Sequence, residues 1–285
     1  MVLAQSSIQW LGGTTWSGDS LASAVLASDV VGGRIWRWRG ALRGRQPTVE
    51  VFRERAQWAD TLPRFALEPS ANGLLWVRGT LFFCDHEIRQ IGKILGASGN
   101  RLATEPLTVT SSSMVEGREL RLNGPNDLAL APDGLYIWFT DPSHGLCTGV
   151  DNSSASCIAE EKSGAREIHG VFRVSLAGEQ EVAELKIQGV SKPNGVAFSA
   201  DGKRIFVSNS DHIAVWDLHA VNGRTELLGG EAAGRRFMES GSPVDGSGLG
   251  VPSPQHTAGT LHTHYTYNYI GPGQSLDCVT FVAPN

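Results

Sequence analysis

The sequence predicts an all-β fold of the β-propeller type, and three observations carry that expectation. One hairpin segment is written twice, fainter copies of it run toward the N-terminus, and the composition suits turns better than surface helices. The strong copies are Asn126 to Ser143 (NDLALAPDGLYIWFTDPS) and Asn194 to Asp211 (NGVAFSADGKRIFVSNSD). Each has an asparagine, an alternating apolar strand, an Asp-Gly turn (Asp133-Gly134, Asp201-Gly202) and a strand of β-branched and aromatic residues. Of the 285 residues, 41% are hydrophobic, only 19% are charged and 34 are glycine, which favours many turns over charged helical faces.

The weaker copies fix the repeat. Asn72-Gly73-Leu74-Leu75-Trp76 leads into Gly79 to Asp85, and Leu26-Ala27-Ser28-Asp29 precedes Gly33 to Trp38. An apolar strand, a turn, a second apolar strand ending in Asp or Asn, and a third strand alternating polar residues with Ile, Val or Trp are the contents of one blade. A period of about 40 to 50 residues plus loops suits such a unit. A β-sandwich also has short strands at regular spacing, but nothing in it requires one motif at every repeat. The strong copies start at 126 and 194 because the segment Gly145 to His169, rich in Asn, Ser and Gly, intervenes as a surface loop. Residues 1–246 therefore read as the propeller domain. Residues 247–285, whose single formal charge is Asp277, read as an atypical tail holding at most one irregular blade.

The net charge of −5 offers no basic field for nucleic acid or an anionic membrane surface. No apolar run reaches the roughly 18 residues of a spanning helix, and Met1 to Trp10 lacks a basic cluster followed by an apolar stretch. The expectation is a soluble, cytoplasmic monomer acting on a small molecule. The four cysteines, at 84, 147, 157 and 278, form no CxxC pair, which argues against a zinc knuckle and for free thiols.

Three strings carry a resemblance: Arg121-Leu122-Asn123-Gly124-Pro125-Asn126-Asp127, Phe139-Thr140-Asp141-Pro142 and Lys192-Pro193-Asn194-Gly195-Val196-Ala197-Phe198-Ser199. With Ser28-Asp29, Ile35 to Trp38 and Val171 to Val174, they resemble in wording, order and spacing the SMP-30/gluconolactonase (regucalcin-like) lactonases, from about residue 20 to 246. The resemblance implies a six-bladed propeller, here irregular or incomplete at its C-terminal end. It also implies one divalent metal, usually Ca2+, in the central channel, and hydrolysis of a sugar or related lactone. Carried over residue by residue, Asn126, Asn194 and Asp245 (in Pro243-Val244-Asp245-Gly246) become metal ligands. Asp245 is also the implied general base, and Arg121 and Asn126 the implied substrate contacts. One departure is plain. Where the family writes Glu-Gly-Pro ahead of a strand with Trp, this chain has Leu11-Gly12-Gly13-Thr14-Thr15-Trp16, and no carboxylate stands there.

The residue types suit the implied chemistry. Calcium takes six to eight oxygen ligands at about 2.3 to 2.6 Å, so asparagine amides, a carboxylate and waters are an appropriate set, and affinity falls when ligand charge is removed. Two other classes compete: a non-catalytic propeller that has lost its metal site, and an enzyme of the strictosidine-synthase or paraoxonase-like propellers. Asp133 and Asp201 read as turn-formers. Asp141 and Asp211, after Thr140 and Ser210, read as structural hydrogen-bonding groups facing the neighbouring blade. His256, His262 and His264 read as a coincidence rather than a metal cluster, and Trp36, Trp38, Trp76, Trp138 and Trp216 as packing between blades.

Overall fold

The computed structural model describes residues 11–17, 24–29, 33–39, 48–53, 71–86, 88–95, 107–142, 168–179, 181–190, 192–209, 212–239, 262–265 and 279–282. Among them the secondary structure is strand throughout, apart from one 3-10 turn at Glu231–Ala233. The first sheet runs β1 (Leu11–Ser17), β2 (Ala24–Asp29), β3 (Arg34–Arg39) and β4 (Thr48–Arg53). The second runs β5 (Ala71–Val77), β6 (Thr80–Asp85), β7 (Gln90–Ile94) and β8 (Leu107–Thr110). Both are antiparallel meanders in chain order.

The chain then forms the hairpin β9 (Ser112–Val115) and β10 (Arg118–Arg121) before starting the third sheet. That sheet runs β11 (Leu128–Leu130), β12 (Tyr136–Asp141), β13 (Gly170–Ser175) and β14 (Val182–Gln188), and β9 lies parallel to β14 on its outer edge. The hairpin thus covers an edge that would otherwise offer unpaired backbone groups. In the fourth sheet β15 (Val196–Phe198) and β16 (Arg204–Ser208) pair in order with the long β17 (His212–Val221), which carries both β18 (Arg224–Leu227) and β19 (Arg235–Glu239). A last hairpin, β20 (His262–Tyr265) with β21 (Val279–Val282), falls within the tail, and β21 lies near β15 and β16. The four sheets are the four repeats read from the sequence. The outer strands β4 and β8 and the β9–β10 hairpin are additions that the repeat did not announce.

Strand periodicity explains how the sheets associate. Successive side chains of a strand point to opposite faces, so a sheet packed on both sides needs apolar residues at both phases. In β6, Phe82 and Cys84 belong to the core shared with the third sheet, whereas Leu81 and Phe83 belong to the core shared with the first. In β12, Ile137 and Phe139 face back to the second sheet, and the fully buried Trp138 faces forward to the fourth, where its ring meets Phe198 edge-on at 5.8 Å. The second and third sheets are therefore sandwiched face to face between their sequence neighbours, and the first strands β1, β5, β11 and β15 adjoin in series. This is the packing expected of blades. Trp138 and Trp216 are buried as anticipated, while Trp36, Trp38 and Trp76 are only half-buried.

The Asp-Gly turns do more than reverse the chain. Gly134 and Gly202 each donate three residues back, to Ala131 and Ser199, and take φ of 68° and 67°, a conformation glycine adopts without steric cost. Five residues, 131–135 and 199–203, thus connect the strands, instead of the two-residue turn that Asp-Gly suggests. Asp133 caps its own turn at Leu135 N and also accepts from Thr225 N (2.6 Å) in the fourth sheet. Partial burial pushes its carboxyl up, but the Leu135 and Thr225 amides and the Thr225 hydroxyl outweigh this and hold its pKa below the usual value. A carboxylate with a depressed folded pKa contributes stability above its unfolded pKa and loses it as pH falls through the folded one. Asp133→Asn is therefore expected to lower the thermal midpoint at pH 7, with the gap to wild type closing below roughly pH 4. Melting curves of both proteins across that range check this.

Candidate active site

Strand register places the asparagines of the repeat at one position. Leu74 pairs with Phe83, Leu128 with Phe139 and Val196 with Val207, so Asn72, Asn126 and Asn194 each stand two residues before the equivalent pair. They open the first strands of the second, third and fourth sheets, at one rim. Asn126 and Asn194 are 5% and 1% exposed. Asn72, half-buried, completes a row that the sequence had shown only as a faint repeat, and its Nδ2 lies 3.5 Å from Nε2 of the buried His86. Its signal in the sequence was Asn72-Gly73 aligned with Asn194-Gly195.

The same comparison locates the first sheet's member of the row. β1 pairs Leu11 with Asp29 and Thr14 with Ala27, with a bulge between; β5 pairs Ala71 with Asp85 and Leu74 with Phe83, with a bulge between. Gly12 is thus the counterpart of Asn72.

The backbone of the row is bolted from sheet to sheet. Ser28 Oγ donates to Asn72 O (2.6 Å), Gly73 N to Asn126 O (2.8 Å), and Thr140 Oγ1 to Asn194 O. Each asparagine's carbonyl is thereby taken up by the preceding sheet. At Gly73 a side chain is impossible: a Cβ would stand 2.7 Å from Asp127 Cα and 2.8 Å from Asn126 O.

A second set of bonds fixes the segment that leads into each asparagine. The buried Asp141, at the end of β12, accepts from Asn123 N (2.8 Å) and Gly124 N (2.9 Å), and Asn209, just past β16, accepts from Lys192 N (2.9 Å). The two strong copies set Thr140-Asp141 against Ser208-Asn209, and the strand pairing keeps that alignment. The amides that Asp141 accepts from lie in its own sheet's lead-in, while Thr140 reaches the neighbouring sheet.

Asp127 was not singled out in the sequence, and it lies at the centre of this arrangement. Its Oδ2 accepts from Val196 N (2.9 Å) in the fourth sheet and its Oδ1 from Leu128 N (2.9 Å). Burial raises its pKa to about 7 despite these two amide bonds. Burial first, then the charges of Asp127, Asp141 and Asp85, push the Cys84 thiol well above its ordinary value. Cys84 is free, buried and a protonated thiol at neutral pH, which is the opposite of a nucleophilic cysteine.

Arg121, at the end of β10, is exposed and donates to Ile88 O (3.3 Å), at the turn of the second sheet. Asp245 lies outside the described residues, as do Asp211, His256, most of the Gly145–His169 insertion, and Cys147, Cys157 and Cys278. Among the described residues no cluster of three or more His, Cys, Asp or Glu is placed to hold a metal. The asparagine side chains of the row carry amide oxygens, which suit a hard cation such as calcium better than zinc or copper.

The family model for the SMP-30/gluconolactonase/LRE-like region matches residues 12–249. The chain belongs to that family. A protein named gluconolactonase from Zymomonas mobilis is 30% identical over 216 residues, which make up 74% of this chain and 52% of that protein. The chain thus spans about half the length of this relative. Among solved structures, a calcium-binding regucalcin from Agrobacterium tumefaciens is 15% identical, covering 78% of this chain and 59% of its own, with a TM-score of 0.45. A luciferin-regenerating enzyme is 14% identical, covering 81% and 61%, with a TM-score of 0.47. Both likenesses are too loose to bear on the site. Within the SMP-30/gluconolactonase family the Pro-Asn-Asp and Pro-Asn-Gly motifs of this chain are thus the third and fourth sheets' copies of one rim position. No helix among the described residues is long and apolar enough to cross a membrane.

If Asp141 fixes the lead-in to Asn126, Asp141→Asn turns an amide group toward two backbone N–H donors. The expected loss is about 1–3 kcal/mol, read from the denaturant midpoint at unchanged slope.

Proposed function

We propose that this protein hydrolyses the cyclic ester bond of a sugar or related lactone, with a calcium ion held by Asn126, Asn194 and Asp245. The observation that carries this reading is the row itself. Two buried asparagines from different sheets stand at the same position of one rim, where the main-chain carbonyl of each is fixed by the preceding sheet. Family membership supplies the reaction class.

A bound calcium ion would contribute Lewis-acid polarisation of the lactone carbonyl and a template for water. The chain's own residues do the rest. Asp245 takes the proton of the attacking water. Its carboxylate is a weak base, and its usefulness comes from position. Arg121 brings fixed positive charge toward the oxyanion that forms as the carbonyl carbon becomes tetrahedral, and Asn126 helps orient the substrate. The ring carbon–oxygen bond breaks, the proton held by Asp245 passes to the leaving ring oxygen, and the new carboxylic acid loses its proton to solvent, leaving an open hydroxy-carboxylate.

Gly12 favours a second reading. At the first sheet's place in the row there is no side chain, so the ligand set has one carboxylate instead of two and weaker calcium affinity follows. The extreme of that trend is a propeller that no longer turns over lactone.

Calcium titration calorimetry alongside hydrolysis of glucono-lactone separates the two. The lactonase reading expects calcium-dependent turnover that falls at least about a hundredfold in Asn194→Ala and in Asp245→Asn. No calcium binding and no turnover at millimolar calcium would leave the non-catalytic reading. In either case Gly12→Glu is expected to tighten calcium binding, by about tenfold or more for one added carboxylate. An unchanged affinity would remove Gly12 from the row.

A further inference from the structure

On the rim opposite the asparagines, a cleft of about 460 Å³ opens between the second and third sheets. It lies among the turn joining β5 to β6, the Asp-Gly turn of the third sheet, the end of β13 and the start of β18. Val77, Phe82, Leu135, Tyr136 and Leu176 give it apolar walls, and Arg78 and Arg224 bring two guanidinium groups to it.

Three features set this cleft apart from ordinary surface. The first is charge. Arg173, which stacks on Tyr136 at 4.6 Å, is neutralised by Glu184 and Glu226, both at 2.8 Å. Arg78 and Arg224 have no carboxylate partner among the described residues, and Arg224 lies 5.8 Å from the centre of the Tyr136 ring. The nearby Asp133 does not supply one, since its oxygens are taken by the Leu135 and Thr225 amides.

The second is backbone conformation. Arg78 takes φ 49°, ahead of Gly79 at 79°, in a two-residue turn whose first position favours Asn or Gly. The turn between β17 and β18 is built the same way and does carry Asn222-Gly223. A guanidinium is held at the cleft against local preference.

The third is the internal repeat. The positions of Leu135 and Tyr136 after the third sheet's turn are held by Lys203 and Arg204 after the fourth sheet's. Leu135 remains 51% exposed, an apolar side chain in the Asp-Gly turn that borders the cleft.

We propose that this cleft binds a small amphipathic anion, a carboxylate on an aromatic or branched aliphatic body. The guanidinium groups of Arg78 and Arg224 receive the charge, and Leu135, Tyr136 and Phe82 hold the body. A volume of this size suits a small molecule. Arginines take carboxylate and phosphate alike, so the apolar walls are what select an anion with an apolar body. The site is separate from the asparagine rim and does not depend on any catalytic activity there.

Titration calorimetry of the full chain with naphthalene-1-carboxylate, naphthalene-1-carboxamide and inorganic phosphate tests this. The carboxylate is expected to bind at least about tenfold more tightly than either control, the ratio that one charge-assisted contact supplies. Arg78→Asn is a benign probe because asparagine prefers the left-handed turn, so its unfolding midpoint should hold or rise. Combined with Arg224→Thr it should weaken the carboxylate by about tenfold or more and leave the carboxamide unchanged. Leu135→Lys, which installs the fourth sheet's residue, should weaken the carboxamide as well. The proposal is overturned if the carboxylate fails to bind at millimolar concentration, or if phosphate or the carboxamide binds as well as the carboxylate. Undiminished carboxylate binding by the folded double variant would overturn it too.

Discussion

The structure depends on a hydrogen bond repeated from sheet to sheet, in which the main-chain carbonyl at the asparagine position accepts from the sheet before it. Ser28, Gly73 and Thr140 are three different donors doing one job for Asn72, Asn126 and Asn194. A buried carbonyl left without a donor costs about 1–3 kcal/mol, so each of these bonds constrains how neighbouring sheets can sit. Hydrophobic faces supply the attraction between sheets but tolerate sliding. The polar ties at the rim remove that freedom, and in doing so they fix where the asparagine side chains begin.

Much of this was legible in the sequence, because a repeat carries register. Asn126 and Asn194 could be matched residue for residue through the Asp-Gly turn, and the paired strands follow that alignment. What escaped was decided by contacts across sheets. Asn72 lay in a copy too worn to mark as a site, and only the bulge it shares with β1 identifies its place and that of Gly12. Asp127 was hidden because its neighbours in the other copies are glycines, so nothing in the repeat announces a carboxylate reaching Val196. The outer strands and the β9–β10 hairpin are partly exposed, so the alternation that betrays inner strands is weak in them.

The two rims of the sheets have different characters. One gathers asparagine amides and buried carboxylates. The other gathers apolar side chains and two arginines with no carboxylate partner among the described residues. Both arise from the same repeat, the first where it is kept and the second where it departs, as Leu135 and Tyr136 depart from Lys203 and Arg204.

If the rim's asparagine amides are held in place to ligate a calcium ion, as proposed, crystals grown with and without calcium will differ there, with ion density within about 2.3 to 2.6 Å of Oδ1 of both Asn126 and Asn194. Calcium bound elsewhere, or these two amides turned into hydrogen bonds with neighbouring sheets in the presence of saturating calcium, would contradict it.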